Sequence, residues 1–191
     1  MKNKLFLVII LLSCLYETTY AQRTLIDTVR YRFHYETKET ATEGKKPFDD
    51  EINVDIGDKV TYCYSSWEED NDLLYDSIMA KGGNVNDFLA AEGPISMFDE
   101  RVIKNYPSKG NISVTCLLGD DVIYNEPMVK KDWNLEPGDT TIVGYKCKKA
   151  TCNFRGRKWI AWYTLDIPIS EGPWKIDGLP GMILRAVDSL N

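Results

Sequence analysis

The run Val29-Arg30-Tyr31-Arg32-Phe33-His34-Tyr35 alternates without a break, with Val29, Tyr31, Phe33 and Tyr35 on one face and Arg30, Arg32 and His34 on the other. A two-residue period describes a half-buried strand and does not suit a helix, whose faces repeat every 3.6 residues. The signature recurs in Val60-Thr61-Tyr62-Cys63-Tyr64, which follows a turn at Ile56-Gly57-Asp58-Lys59, and in the stripe Ile112, Val114, Cys116 and Leu118. Gly119-Asp120-Asp121 then turns the chain into Val122-Ile123-Tyr124, and two further strand-like segments, 141–154 and 158–167, meet at Arg155-Gly156-Arg157. Many short strands punctuated by turns predict a mainly β fold: a twisted antiparallel sheet, open to curling as a half-barrel. The exception is a small helical insertion around 70–100, where Leu73-Leu74-Tyr75, Ile78-Met79 and Phe88-Leu89 cluster at helical spacing and Gly82-Gly83 interrupts them. No repeat or linker divides the chain, so residues 22–191 are expected to form one domain.

Composition narrows the partners. With a net charge of -6, the chain offers no electrostatic footprint for a phosphate backbone, so no nucleic-acid partner is expected. Its start follows the grammar of a secretory signal: Lys2 and Lys4, an apolar run from Leu5 to Leu12, and Thr19-Tyr20-Ala21 before a new N-terminus at Gln22. The apolar run is too short to cross roughly 30 Å of hydrocarbon. Residues 1–21 are thus expected to be a cleaved signal, leaving an exported chain with no transmembrane segment. A lipoprotein-like alternative at Leu12-Ser13-Cys14 would leave a lipidated Cys14.

The last third of the chain carries a string of blocks: Gly144-Tyr145-Lys146-Cys147, Phe154-Arg155-Gly156-Arg157, Ala161-Trp162-Tyr163-Thr164, Gly172-Pro173-Trp174 and Gly178-Leu179-Pro180-Gly181-Met182-Ile183. Upstream, Val54-Asp55-Ile56-Gly57 and Tyr106-Pro107 extend the pattern. In order and spacing these blocks resemble the GLPGLI family, secreted proteins of Gram-negative bacteria, with Met182 as one conservative departure in the naming hexapeptide. The resemblance implies a β-rich fold in the periplasm or outside the cell. It brings no reaction, cofactor or catalytic residue with it. It also implies further strand-like sequence after the hexapeptide, and so a chain cut short at its C-terminus.

Within the hexapeptide, Gly178, Leu179, Pro180 and Gly181 read as a structural motif, a type II turn with Pro180 at its second position and Gly181 taking the positive φ of the third. The following strand, 182–187, is expected to pair on one side only. Trp159, Trp162, Tyr163 and Trp174 are the candidate ligand-binding residues: on one strand, Trp159, Ala161 and Tyr163 face one way and Ile160, Trp162 and Thr164 the other, so one face can be core and the other a platform. Lys146, Lys148, Lys149, Arg155, Arg157 and Lys158 form a local basic cluster, fit for an anionic partner or for a solvated strand face.

Signals for catalysis are sparse. The single histidine, His34, rules out a multi-histidine metal centre, and the acidic run Glu68, Glu69, Asp70 and Asp72 lacks the glycine and terminal glutamate spacing of a calcium loop. No metal, cofactor or catalytic residue is assigned. In an oxidising compartment Cys63, Cys116, Cys147 and Cys152 invite disulfides. Cys147 and Cys152 are not expected to pair if one extended strand holds both, because five residues at ~3.3 Å exceed disulfide reach. The expected function is a non-enzymatic binding or envelope-assembly protein for an apolar or peptide ligand or an envelope protein. The competing expectation is a secreted hydrolase or thiol enzyme with a cysteine nucleophile.

Overall fold

Alternation resolves into two antiparallel sheets. The first takes β1 (Tyr31–Glu39), β2 (Phe48–Ile56), β3 (Thr61–Ser65), β4 (Glu100–Lys104), β5 (Asn111–Leu117) and β6 (Asp121–Pro127), side by side in chain order. The second takes β7 (Asn134–Ile142), β8 (Tyr145–Phe154), β9 (Arg157–Thr164) and β10 (Met182–Ser189), in the order β10-β9-β8-β7. This computed structural model describes residues 25–39, 48–91, 93, 98, 100–117 and 121–189. The expected signal segment, Cys14 and the turn at 118–120 lie outside the described residues. The mainly β, antiparallel architecture is the one the alternation implied; its strands are shared between two sheets, and no barrel closes among the described residues.

The helical insertion follows β3 as α1 (Ser66–Ala80) and α2 (Val85–Leu89). Ser65 caps α1 by accepting from the Trp67 amide, and Glu68 and Glu69 place negative charge at its positive end. Asn84 and Asp87 form a capping box on α2. Helix α1 lies over the outer face of the first sheet, where Glu69 accepts from Arg32 at 3.0 Å and from Asn53 at 3.0 Å. The acidic run read as a poor calcium loop is therefore the opening of a helix. Among the described residues no cluster of potential ligands could hold a metal ion, and no helix is long and apolar enough to cross a membrane.

Strands β2 to β5 turn apolar positions inward: Ile52, Val54 and Ile56 from β2, Cys63 from β3, Val102 from β4, and Ile112 and Val114 from β5 are all buried. The stripe of β1 is covered only at Phe33 and Tyr35, whereas Val29 and Tyr31 are more than half exposed. The second sheet buries Ala150, Cys152, Phe154, Ala161 and Tyr163. Between the two cores runs the β9–β10 connection, residues 165–181. It contributes Ile176 and Leu179 to one core, and at its end Met182 enters the first cluster and Ile183 the second. Fully burying such side chains stabilises by roughly 1.5–3 kcal/mol each. Tyr35 ties the layers together by donating to the Ile183 carbonyl at 2.6 Å.

Three sequence readings are corrected. The segment 141–154 is not one strand but the hinge of a hairpin: β7 ends at Ile142, and Val143 (φ 48°) with Gly144 (φ 83°) makes the two-residue turn into β8. Positive φ at both positions matches the twist of the flanking strands, but a β-branched residue there is an outlier, so nothing in Val-Gly advertised the turn. The strands β2, β4 and β7 went unassigned; β7 contains Pro137 and a bulge between Glu136 and Asp139, features an edge strand tolerates. Finally, the residue in the left-handed region is Gly178 (φ 92°), not Gly181. Gly181 is required for space, since a Cβ there would sit 2.0 Å from the Thr164 carbonyl oxygen. Among the described residues the strand that follows pairs with β9 alone, as expected. Cys147 and Cys152 lie on the unbroken strand β8.

Two predictions follow from these glycine and turn geometries. Gly181→Val and Gly181→Asn should destabilise alike, by about 2–3 kcal/mol, because both overpack the same backbone contact, whereas Gly178→Asn should be milder than Gly178→Val; thermal melts followed by circular dichroism distinguish the two sites. Val143, which is 88% exposed, should gain from replacement by asparagine: about 1 kcal/mol, a rise in Tm of roughly 2–4 °C.

Candidate functional site

The site is built at the tip of the β8–β9 hairpin. Arg155 (φ 52°) and Gly156 (φ 74°) form its tight turn, which sets Arg155 and Arg157 on either side. Two residues further on, Trp159 faces inward with Ala161 and Tyr163. The β9–β10 connection brings Trp174 against it, with ring centroids 5.8 Å apart and planes tilted by 32°. Phe154 meets Trp174 edge-on at 6.2 Å. Trp174 has a left-handed backbone (φ 52°), a costly conformation for a large residue. It is held by two bonds to the first sheet: its amide donates to Cys63 Sγ at 3.3 Å and its Nε1 to Glu100 Oε2 at 2.6 Å. Arg155, Arg157, Trp159 and Trp174 together line an open cleft of about 300 Å³.

Behind the cleft lies a buried network of charge. Lys175, 1% exposed, has its Nζ 3.2 Å from Glu126, 3.5 Å from Glu100 and 3.1 Å from the Tyr124 hydroxyl, and it sits 5.2 Å from the Trp174 ring centroid. Deeper, Lys104 is ion-paired with Glu171 at 2.5 Å and donates to the Gly172 carbonyl at 3.0 Å, and Lys131 donates to Asp177 at 2.8 Å. Burial pushes the Lys131 ammonium below the usual lysine range, and Asp177 opposes that. For Glu126, burial would raise the carboxyl, but the bonds from Arg155 and Lys175 outweigh it and hold it below the ordinary glutamate value. Buried charges persist only when paired and hydrogen-bonded, and here the pairing joins the first sheet to the β9–β10 connection.

Of the four aromatic candidates, the structure brings Trp159 and Trp174 together and sends the other two elsewhere. Trp162 lies on the outer face of the second sheet, in a cross-strand row with Lys149 and Arg185; the Arg185 guanidinium sits 4.9 Å from its ring centroid. Tyr163 is buried core. Gly178, Leu179, Pro180 and Gly181 serve packing, with Leu179 in the core and the Trp133 indole donating to the Asp177 carbonyl at 2.9 Å. The basic cluster divides: Arg155 pairs with Glu126, Arg157 with Asp188 and Lys149 with Glu136. Lys146 and Lys148 border a second recess, of about 450 Å³, with Cys147 and Asp166. His34 contacts Asn53 at 3.0 Å and Glu51 at 3.2 Å, on the face of the first sheet opposite Cys63.

The residues that sequence reasoning missed are Glu100, Lys104, Glu126 and Lys175. For the three strand residues the signal was parity, whereas Lys175 lies in the β9–β10 connection and carried none. Lys104 and Glu100 share the inward register of Val102, and Glu126 shares that of Tyr124, so each is a charge written into an apolar stripe.

Residues 153–185, which span the hairpin tip, the connection and the start of β10, match the sequence model of a family described as "Protein of unknown function (Porph_ging)". No curated protein matches the chain. Among solved structures, two crystal forms of PNGF-II are similar at 19% identity and a TM-score of 0.49, with 82% of this chain aligned. The match takes in 25% and 26% of those chains, so this chain spans about a quarter of the protein it matches.

The Glu126 network predicts an acid-sensitive stability. A carboxyl depressed in the folded state adds stability that is present above its unfolded pKa of about 4.5 and is lost as pH falls through the lower folded value. Denaturant titrations from neutral pH to about pH 3 should show a steeper acid loss in the parent protein than in Glu126→Gln.

Proposed function

We propose that this is an exported, non-enzymatic binding or envelope-assembly protein of the GLPGLI type, working in the periplasm or outside a Gram-negative cell. Its ligand is apolar or a peptide, and the cleft on Trp159 and Trp174 receives it. The observation that carries the reading is the convergence of these two indoles, from β9 and from the β9–β10 connection, on an open cleft flanked by arginines rather than in a sealed core. Ligand sites are commonly concave, aromatic and sparsely polar in this way.

The thiol-enzyme reading has less support. Burial raises the thiols of Cys63, to about 11, and of Cys147 and Cys152. A cysteine nucleophile needs the opposite, an exposed thiol with a lowered pKa.

The test is a titration of the mature protein with a short apolar peptide, followed by tryptophan fluorescence. Trp159→Ala should weaken binding about tenfold, equivalent to ~1.4 kcal/mol, and Trp162→Ala, on the opposite face, should leave it unchanged. Equal effects of the two substitutions would remove the cleft from the function.

A further inference from the structure

The chemistry lining the cleft is one-sided. Trp159 donates its Nε1 to the Phe154 carbonyl at 3.3 Å and Trp174 donates its own to Glu100, so both indoles have spent their polar atoms and offer apolar surface to the cleft. The remaining two lining side chains are guanidiniums, each with five N–H donors and no acceptor. Each spends a single nitrogen on protein: Arg155 Nη2 on Glu126 and Arg157 Nη1 on Asp188. Their side chains are 40% and 50% exposed, leaving donors available at the cleft. A ligand group bearing N–H or O–H donors finds no acceptor on these four side chains, whereas an anionic oxygen finds charge-assisted partners of fixed geometry. Because Glu126 and Asp188 already balance the two arginines, the surroundings suit one added negative charge better than a dianion. A volume of about 300 Å³ sits at the small end of ligand sites.

Resting on the binding reading above, we propose that the cleft recognises an apolar monocarboxylate: one aromatic or large aliphatic group laid on Trp159 and Trp174, with its carboxylate held by Arg155 and Arg157. Two sources supply this chemistry, the free C-terminus of a peptide ending in such a residue and a small carboxylic acid. Both present the same terminal group to the arginines.

The experiment uses four probes: N-acetylphenylalanine, its primary amide, and the peptide Gly-Ser-Gly-Ser-Phe with a free or an amidated C-terminus. Binding is read by tryptophan fluorescence and calorimetry. The acids should bind at least about tenfold more tightly than their amides, and the preference should shrink between about 50 and about 500 mM salt. Arg157→Gln should cut the acid-over-amide preference at least about threefold while leaving Tm nearly unchanged, since a half-exposed ion pair contributes little to stability. A peptide acid that outbinds N-acetylphenylalanine marks a chain terminus as the ligand, and equal affinities mark a small acid; both support the proposal. Amides that bind as tightly as acids would overturn it and leave a cleft that reads apolar surface alone, and an acid preference undiminished by Arg157→Gln would overturn it by removing the arginine pair from recognition. If no probe binds and Trp159→Ala changes nothing, the proposal and the binding reading fall together.

Discussion

Much of the structure depends on one constraint: the β9–β10 connection must be clamped between two sheets through ion pairs whose ammonium groups are buried from water. Lys104 stands fully buried on the inward face of β4 and reaches Glu171 and the Gly172 carbonyl, while Lys131 meets Asp177. Taking ammonium and carboxylate groups out of water costs several kcal/mol per ion, recovered only if the geometry is good and the remaining polar atoms are bonded. Such a clamp adds little net stability over an apolar core. What it adds is position, because a one-residue slip of the connection would strand buried charges where an apolar contact would merely repack.

Position is what the cleft requires. Trp174 occupies a left-handed backbone conformation that only an over-determined neighbourhood can maintain. Its amide and indole are both tied to the first sheet, its ring packs on the second, and Lys175 beside it is paired to Glu100 and Glu126. The close approach of Gly181 to Thr164 fixes where the connection ends and β10 begins. The hexapeptide therefore acts at a distance from the cleft: it seats Leu179, Met182 and Ile183 in two cores, and the seated connection presents Trp174.

The strands were legible wherever their alternation ran against a solvated or lightly covered face, as in β1, β3 and β5. They were not legible where a charge occupied an inward position, as in Glu100-Arg101-Val102-Ile103-Lys104, because periodicity reasoning assigns every charge to solvent. The helical insertion was visible from its clusters, and its caps at Ser65 and Asn84 obey local rules. The site was half visible. Trp159 and Trp174 could be nominated from composition, but their meeting depends on a long-range contact, and Trp162, equally aromatic, ends on the far face by strand parity alone. The type II turn expected over 179–182 is instead a bend at 179–181 preceded by a left-handed Gly178: Pro180-Gly181 offered a familiar local pattern, while the decisive contact, with Thr164, is tertiary.

This division of labour makes the two tryptophans unequal as probes. Trp174 is at once a lining residue, a partner of Cys63 and Glu100, and the neighbour of a buried lysine, so truncating it would leave Glu100 and Lys175 short of a partner and confound binding with folding. Trp159 gives only one hydrogen bond, to the carbonyl of Phe154 within its own hairpin, and otherwise contributes surface. The cleft can vary at Trp159 and Arg157 without disturbing the clamp, whereas Arg155 shares Glu126 with Lys175. Changes at Trp174 or Lys175 disturb both, because there the polar groups that hold the fold also hold the wall of the cleft.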